Sequence, residues 1–168
     1  MILSDADIAY LRQLPDHLDI QPWNPDRLQP ASYDLTLGSH ARWWEPGDLQ
    51  PWEAPYFDGI TVKQGHFYLL HTAEVVTLGN GIGAQVVGKS TWARKGLIVE
   101  AAGWVDPGFS GQLVLEVTNM SPVPVVVNVG DPIAQIIFME LKSPALRPYG
   151  KERGSHYHGQ MGATPAWN

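Results

Sequence analysis

The amino-acid sequence predicts an all-β protein of the jelly-roll or sandwich type, with short N-terminal and mid-chain helical turns. Seventeen Gly and 14 Pro are spread along the 168 residues, so turns are frequent and long helices are disfavoured. Short runs rich in Val, Ile and Leu lie between these turn residues, as is typical of short strands. The pattern fits about ten strands, which favours two packed sheets over a helical bundle.

Length and charge indicate one acidic domain. A chain of 168 residues can bury its own core, and no repeat or linker divides it, so we expect a single domain over residues 1–168. Eleven Lys and Arg against 17 Asp and Glu give a net charge of −6, which argues against a surface for nucleic acid or anionic membrane. The absence of Cys excludes disulfides and thiolate metal sites.

The two ends of the chain carry weaker signals. Residues 1–5 lack the basic and apolar regions of a secretory signal, and no apolar run approaches the roughly 18 residues of a membrane span. We therefore expect a cytoplasmic protein. From Ser143 the sequence is polar and rich in Gly and Pro, a composition that predicts a mobile C-terminal tail from about residue 150.

Helix and strand signals in the first third are clear at two places. Ser4 and Asp7 have capping-box spacing before Ile8, so a short helix begins there. Residues 14–30 contain four prolines and are interpreted as irregular and extended. Residues 31–38 alternate with period two and end on Gly, which predicts a strand.

The middle of the chain combines an aromatic segment with short strands. Residues 42–58 are rich in Trp, Tyr and Phe, and packing or a subunit contact is favoured there over ligand stacking. Residues 60–62, 66–72, 74–78 and 84–87 are predicted as strands. Residues 90–95 predict one helical turn, with Ser90 or Thr91 as its N-cap and Gly96 beyond its end.

The last predicted strands include one with a clear two-sided pattern. In residues 112–117, Leu113, Leu115 and Val117 share one face, so Glu116 lies on the opposite face. Residues 123–129 and 133–141, joined by a turn at Gly130 and Asp131, predict a further strand pair.

Residues 88–116 carry the side chains best suited to chemistry. Lys89, Ser90, Thr91 and Arg94 place two cations and two hydroxyls within six residues, which favours a local phosphate site. Asp106 and Glu116 follow ten residues apart as candidates for proton transfer. Taken singly, each of these residues is more often a surface charge or a turn cap, and only their combination indicates a site.

Zinc is not predicted. Zinc-dependent nucleobase deaminases hold the metal with His and Cys beside a Glu, and that signature is absent. Of the six histidines only His156 and His158 are close together, and no third ligand accompanies them.

Five stretches in consistent order resemble the dCTP deaminase family, relatives of the trimeric dUTPases. They are QPASYDLTLG at 29–38, GKSTWAR at 88–94, AGWVDPGFSG at 102–111, LE at 115–116 and YHGQMG at 157–162. The likeness runs along nearly the whole chain. It implies a distorted jelly roll, the dUTPase-like β-clip, and a homotrimer with active sites between subunits. It also implies zinc-free conversion of dCTP to dUTP and ammonia, with Mg²⁺ bound through the triphosphate.

The resemblance also implies roles for individual residues near the reacting base. Glu116 matches the acid and base that takes a proton from water and relays it to N3, and Arg94 matches the residue that orients it. The Ala102 carbonyl matches a group that positions the water. The base pocket corresponds to Val114, Leu115 and Glu116, and Asp106 corresponds to the sugar-side residue.

Phosphate and tail contacts are implied in the same way. The phosphate-binding stretch comprises Lys89, Ser90, Thr91, Trp92, Ala93 and Arg94, with Ser90 and Thr91 at the phosphates and the catalytic water. Tail residues that close over the nucleotide correspond to Tyr149, His156 and Gln160. Lys89 and His156 depart from the family, which usually has Arg and Lys at these positions, so selectivity for the phosphate chain is in question.

Three functions remain open at this point. The first is a dCTP deaminase, either purely deaminating or of the bifunctional subclass that residues 102–104 before Asp106 resemble, in which Asp106 and Gln135 would contribute to further hydrolysis to dUMP and pyrophosphate. A dUTPase without deaminase activity is a second enzyme candidate. A non-catalytic nucleotide-sensing or protein-binding trimer, with residues 42–58 as its contact surface, is the third.

Overall fold

The computed structural model describes residues 1–45, 47–99 and 102–166. Within them lie thirteen strands, which confirms the all-β class: β1 Leu18–Gln21, β2 Leu28–Gln29, β3 Ser32–Thr36, β4 Ala41–Trp43, β5 Trp52–Ala54, β6 Gly59–Val62, β7 Phe67–Leu78, β8 Ile82–Gly88, β9 Leu97–Val99, β10 Trp104–Val105, β11 Ser110–Asn119, β12 Val125–Asn128 and β13 Pro132–Glu140. The helices are α1 Asp5–Leu11 and α2 Ser90–Ala93, with 3-10 helices at Pro25–Arg27 and Lys151–Arg153. No helix in these ranges is long and apolar enough to cross a membrane.

Two main sheets enclose the core. One has the strand order β5-β4-β7-β11-β9, with β1 pairing to β7, and the other has the order β10-β8-β13-β3-β2. A small third sheet pairs β12 with β6. All of these pairings are antiparallel, and one apolar cluster includes Leu35 of β3, Leu70 of β7, Leu115 of β11 and Phe138 of β13. The core therefore lies between two sheets, as the sandwich-type prediction requires.

The predicted N-terminal helix is confirmed together with its cap. The Ser4 hydroxyl accepts a hydrogen bond from the Asp7 backbone, and the Asp7 carboxylate accepts one from the Ser4 backbone at 3.0 Å. The hydrogen bonds from Ser4 lower the pKa of the Asp7 carboxyl. Ile8 on the inner face of α1 is fully buried, so the cap and one apolar anchor fix this helix to the body.

The prediction of an irregular segment over residues 14–30 is wrong in part. Leu18–Gln21 forms β1, which pairs with the end of β7, and Leu18 and Ile20 are its buried positions. The prolines around this short alternating run hid it, because a strand of four residues gives a weak periodic signal. Its partner β7 is a distant strand, so the pairing depends on tertiary structure.

Residues 123–129 and 133–141 contain the expected strands, but the prediction that they pair with each other is wrong. β12 pairs with β6, whereas β13 lies between β8 and β3. The Gly130 amide donates to the Leu37 carbonyl, and the Leu37 amide donates to the Asp131 carbonyl. These bonds attach the turn to the end of β3, so the chain passes to another sheet rather than folding back.

Two further boundaries differ from the predictions. The runs 66–72 and 74–78 form a single strand, β7. The N-cap of α2 is Lys89, and no side chain caps this helix, so Ser90 and Thr91 are helical residues rather than caps. Gly96 follows the helix in a left-handed conformation (φ 88°), which agrees with its predicted position.

A buried carboxylate links the two main sheets. Glu74 of β7 is fully buried, and its Oε2 accepts the Thr36 amide of β3 at 2.9 Å. Its Oε1 accepts the Thr36 hydroxyl at 2.7 Å and Arg27 Nη1 at 2.6 Å. The negative charge is thus matched by one cation and two neutral donors, as a buried charge requires.

Replacing Arg27 with Met should lower the free energy of unfolding by about 3 to 5 kcal/mol, because the buried Glu74 carboxylate loses its cation. Urea titration followed by circular dichroism measures the change. Lys63→Met, which breaks an exposed ion pair to Glu45, is the matched control and should hardly move the midpoint. An Arg27→Met protein as stable as the parent would show that Thr36 alone satisfies Glu74.

Candidate active site

A cavity of about 430 Å³ opens beside the middle of β11. Its volume lies within the range of roughly 300 to 1,000 Å³ found for small-molecule sites. Aromatic side chains form much of its wall, namely Trp44, Phe67, Trp104, Phe109, Tyr149 and Tyr157. Among the described residues its acidic side chains are Asp106 and Glu116. A flat, mostly apolar ligand with a few polar groups fits such a site.

Glu116 reaches this cavity because β11 alternates strictly. Its neighbours Leu115 and Val117 are fully buried in the core, whereas Glu116 and Val114 are half-buried and line the cavity. Ala102, at the edge of the described range, also lines it. The predicted face of Glu116 is confirmed, while the Leu115 side chain, predicted to bind substrate, packs in the core because it has the opposite parity.

Asp106 is held by an indole. Trp104 Nε1 donates to Asp106 Oδ1 at 3.0 Å, and both side chains line the cavity. The Trp104 ring lies so close to Gly83 that a Cβ on that glycine would come within 2.9 Å of it. One oxygen of Asp106 is therefore occupied by a fixed donor, which orients the carboxylate at the cavity wall.

The C-terminal tail packs against the body and forms part of the cavity. The Tyr149 amide donates to the Pro107 carbonyl at 2.7 Å, and the Tyr149 hydroxyl accepts the Tyr157 amide at 3.0 Å. Gln160 Nε2 donates to the Gln112 carbonyl at 2.8 Å. Tyr149 and Gln160 thus line the cavity, whereas His156 is exposed and does not line it.

The residues around α2 lie on a different surface of the chain. Ser90, Thr91, Ala93 and Arg94 are exposed, and none of them lines the cavity. Trp92, predicted to bind substrate, is buried, and its Nε1 donates to the Pro132 carbonyl at 2.7 Å. Its indole side chain therefore anchors α2 to β13 and does not face a ligand.

Lys89 forms an ion pair within the chain. Its Nζ lies 2.5 Å from Asp34 Oδ2, and the Lys89 and Asp34 side chains are 22% and 8% exposed. Asp34 Oδ2 also accepts Gln29 Nε2 at 3.3 Å, whereas Oδ1 is buried without a hydrogen-bond partner. Gln135 on β13 pairs directly with Asp34 in register, so the two side chains share a face.

A single chain therefore holds the predicted site residues as two groups. The cavity contains Ala102, Asp106, Val114, Glu116, Tyr149 and Gln160. The second group, around α2, contains Lys89, Ser90, Thr91, Arg94 and Gln135, none of which lines the cavity. The first group can hold a flat ring beside a carboxylate, and the second carries the exposed hydroxyls and cations.

The residues predicted to form the site did not include five aromatic residues of the cavity: Trp44, Phe67, Trp104, Phe109 and Tyr157. Trp44 belongs to the aromatic segment for which packing was favoured, and it does contact Phe67 with ring centroids 5.7 Å apart. Its neighbour Trp43 stacks on Tyr68 at 6.2 Å and is a packing residue. Adjacent residues of this segment therefore differ in role: Trp44 lines the cavity, whereas Trp43 packs in the body. The composition of the segment could not separate these roles.

Among the described residues, no three His, Asp or Glu side chains are placed to hold a metal ion. His156 and His158 lie in the tail, where His156 is exposed and His158 is half-buried. A metal that brings its own phosphate and water ligands requires only one or two carboxylates from the protein. Such a metal fits the donors present better than an ion held by the protein alone.

Comparison with known proteins gives a consistent family. The family described as dCTP deaminase-like matches residues 2–141. A protein from Bifidobacterium longum named "dCTP deaminase, dUMP-forming" is 38% identical, covering 99% of this chain and 93% of its own length. A protein from Haloarcula marismortui named "dCTP deaminase" is 39% identical, covering 96% and 92%.

Solved structures agree with this similarity. The 2'-deoxycytidine 5'-triphosphate deaminase from Agrobacterium tumefaciens superposes with a TM-score of 0.66 and 27% identity over 82% of this chain. This chain spans about half, 47%, of the length of that protein. The dUTPase of EIAV superposes with a TM-score of 0.55 and 20% identity, covering 80% of this chain and 97% of its own. The second match confirms the dUTPase-like β-fold.

Replacing Lys89 with Met should lower the free energy of unfolding by about 3 to 5 kcal/mol, because Asp34 is left as a buried charge without its cation. Adding Asp34→Asn should recover part of this loss, with a coupling of about 1 to 3 kcal/mol in a double-mutant cycle followed by urea denaturation. Arg94→Met, which removes an exposed cation at the other end of α2, serves as the control. Zero coupling would mean that Lys89 and Asp34 do not form an ion pair in solution.

Proposed function

Because this chain belongs to the dCTP deaminase-like family, a family of enzymes, we propose that it hydrolyses dCTP to dUTP and ammonia in the cytoplasm. The observation that carries the proposal is the position of Glu116. Its carboxylate opens from β11 into a cavity with aromatic walls, while Leu115 and Val117 on either side hold the strand in the core. A pyrimidine ring could lie in this cavity with its C4 close to the carboxylate.

The chemistry requires one group that accepts and returns a proton. In the proposed reaction Glu116 takes a proton from water as the water oxygen bonds to C4, and passes that proton to N3. The second water proton then moves from the new C4 hydroxyl to the amino nitrogen. The C4–N bond breaks, ammonia leaves, and C4 retains the oxygen as a carbonyl. The Ala102 carbonyl, at the cavity wall, would accept a hydrogen bond from the attacking water.

The walls of the cavity suit the base and the sugar. Trp44, Phe67 and Trp104 line the cavity and would contact a flat heterocycle, and Val114 would add an apolar contact. Asp106, held by the Trp104 indole, would accept a hydrogen bond from a sugar hydroxyl. These contacts would also exclude water other than the attacking molecule.

We propose a homotrimer in which a neighbouring copy completes each cavity. Arg94, Ser90 and Thr91 are exposed on a surface that does not border the cavity of their own chain. An arginine that orients Glu116 must contact it, so a second copy supplying α2 would satisfy this requirement. The same contact between copies would bring Lys89, the N-cap of α2, towards the phosphates.

Mg²⁺ would be carried by the triphosphate. When bound, that ion would supply charge neutralisation at the phosphate oxygens. The Asp34 carboxylate, which is paired with Lys89, would lie beside the phosphates and their ion. Lys89, Gln135 and the tail residues Tyr149, His156 and Gln160 would make the remaining phosphate and nucleotide contacts.

A second hydrolysis, of dUTP to dUMP and pyrophosphate, is the further activity that we propose. Asp106 lies in the same cavity as Glu116, so one bound nucleotide can contact both carboxylates. The relative from Bifidobacterium longum is named dUMP-forming, which favours this activity, whereas the equally similar protein from Haloarcula marismortui is named only for deamination. Asp106 would then take the proton from water that attacks the α-phosphate.

Glu116→Gln should reduce ammonia release from dCTP by at least about a hundredfold, because the amide keeps the shape of the side chain but cannot accept the proton. An enzymatic ammonia assay measures turnover, and calorimetry with dCTP should give nearly unchanged binding. Glu140→Gln, at the exposed end of β13, is the control. Deamination by Glu116→Gln at the parental rate would end the assignment, as would pyrophosphate from dUTP without any ammonia from dCTP.

Asp106→Asn should abolish pyrophosphate release and leave dUTP as the accumulating product, with ammonia release reduced less than about tenfold. The reason is that the second step needs a base at Asp106, whereas deamination needs it only for sugar contact. Chromatography of the nucleotides separates dUTP from dUMP. Asp58→Asn, in the aromatic segment, is the control. Equal loss of ammonia and pyrophosphate would mean that Asp106 contributes only to nucleotide binding.

A further inference from the structure

The tail is attached to the body at one side of the cavity by contacts with Gln112. The Gln112 amide donates to the Gln160 carbonyl at 3.0 Å, and Gln160 Nε2 donates back to the Gln112 carbonyl at 2.8 Å. The Gly162 amide donates to Gln112 Oε1 at 2.7 Å. These bonds hold the segment that precedes the last described residues of the chain.

One further tail contact involves a titratable group. The Ala163 amide donates to His40 Nδ1 at 3.1 Å, so Nδ1 carries no proton while the tail is bound. His40 Nε2 then carries the proton and donates to Glu53 Oε1 at 2.8 Å, and Arg42 Nη2 donates to the same oxygen at 3.0 Å. Ala163 is fully buried, so its amide has no water to replace a lost partner.

The fit between tail and imidazole is close. Gly162 has φ 70°, and a Cβ at this position would overlap His40 Nδ1. Glycine is therefore required both for the backbone conformation and for the approach of the ring. The contact is a built part of the tail binding site rather than a loose surface encounter.

The backbone of His40 is fixed by a second histidine. The His40 amide donates to His71 Nε2 at 3.0 Å, and His71 Nδ1 donates to the Thr72 carbonyl at 2.8 Å. Burial lowers the pKa of His71, which favours the neutral ring whose Nε2 accepts the His40 amide. His71 holds the backbone of His40 in place, and the ring of His40 accepts the Ala163 amide directly, whereas His71 reaches the tail only through the Gln112 side chain.

The tail residues on both sides of this contact belong to the cavity wall. Thr164, Pro165 and Ala166 come directly after Ala163 in the chain, and all three line the cavity that contains Glu116. Gln160, on the other side of the contact, lines it as well. Release of Ala163 would therefore free this part of the cavity wall.

We propose that His40 is a positioning residue whose neutral imidazole latches the tail over the cavity, and that protonation of Nδ1 releases the tail. Besides the tail amide, the groups facing the His40 ring are Glu53 from β5, Arg42 from β4 and His71 from β7. Residues 160–166 carry no charged side chain, so the tail cannot compensate for a new positive charge.

The direction of the pH effect follows from the hydrogen-bond roles. Histidine is the side chain that changes charge between about pH 5 and 8. A protonated His40 has N–H groups on both ring nitrogens. The Nδ1–H group would then point at the Ala163 N–H group, and neither could accept a hydrogen bond from the other. The hydrogen bond from His40 lowers the pKa of Glu53, which therefore stays ionised and keeps its partner after release. The tail is thus bound at the higher pH and released as the pH falls.

Hydrogen exchange followed by mass spectrometry tests the latch on the full chain. Protection factors of peptides covering residues 160–166 should fall about fivefold or more between about pH 8 and about pH 5.5, the effect of losing one hydrogen bond. His40→Asn places an acceptor that does not titrate where Nδ1 stands, and should keep the tail protected at both values. His40→Phe, which removes the acceptor, should reduce the protection of the tail at both pH values.

Two outcomes would overturn the latch. The first is a His40→Asn protein whose tail protection changes with pH as much as that of the parent, because the titrating group would then be elsewhere. The second is a parent protein whose tail protection does not change at all. His17→Asn, which alters a histidine of the loop between α1 and β1, is the matched control and should behave like the parent.

The consequence for turnover rests on the proposed function. The KM for dCTP should rise as the pH falls in the parent but not in His40→Asn, while kcat changes alike in both. If neither protein deaminates dCTP, the exchange experiment still decides whether the latch exists. A parallel rise of KM in both proteins would exclude the latch as the cause.

Discussion

The two-residue period of β11 fixes the place of the candidate catalytic carboxylate. Successive side chains of a strand point to opposite faces, so burial of Leu113, Leu115 and Val117 directs Glu116 to the other face, towards the cavity. A slip of one residue would bury the charge and expose three apolar side chains, each contributing about 1.5 to 3 kcal/mol. The core itself therefore keeps Glu116 in the site.

One irregularity in the same pair of strands joins the sheets close to the attachment of the tail. Gln112 pairs with Val75, but Val114 pairs with His71, so β7 bulges between those partners. The bulge contains Glu74, which reaches Thr36 in the opposite sheet. Gln112, at the edge of this bulge, binds Gln160 on the side of β11 that β9 leaves uncovered, since β9 pairs only with Val117–Asn119. The contact between sheets and the attachment of the tail therefore lie close together in the chain.

Local patterns in the sequence predicted what local physics determines. The capping box of α1, the strand at residues 31–38 and the face of Glu116 all follow from spacing within a few residues, and all are confirmed. The partners of β12 and β13 could not be found in this way, because they depend on the attachment of Gly130 to Leu37. The cavity walls were missed for the same reason, since Trp44 meets Phe67 only in the folded chain.

Lys89, which stands where the resembled family usually has Arg, forms an ion pair with Asp34. A lysine ammonium has three N–H donors, and one is directed at the nearly buried Asp34 carboxylate, which leaves two for a phosphate. The carboxylate fixes the flexible lysine stem but cancels much of its charge at a distance. An arginine could bind both groups with separate sides of its planar fork. In the proposed complex Lys89 would therefore orient a phosphate more than neutralise it, and Mg²⁺ and cations from the neighbouring copies would balance most of the charge of the triphosphate.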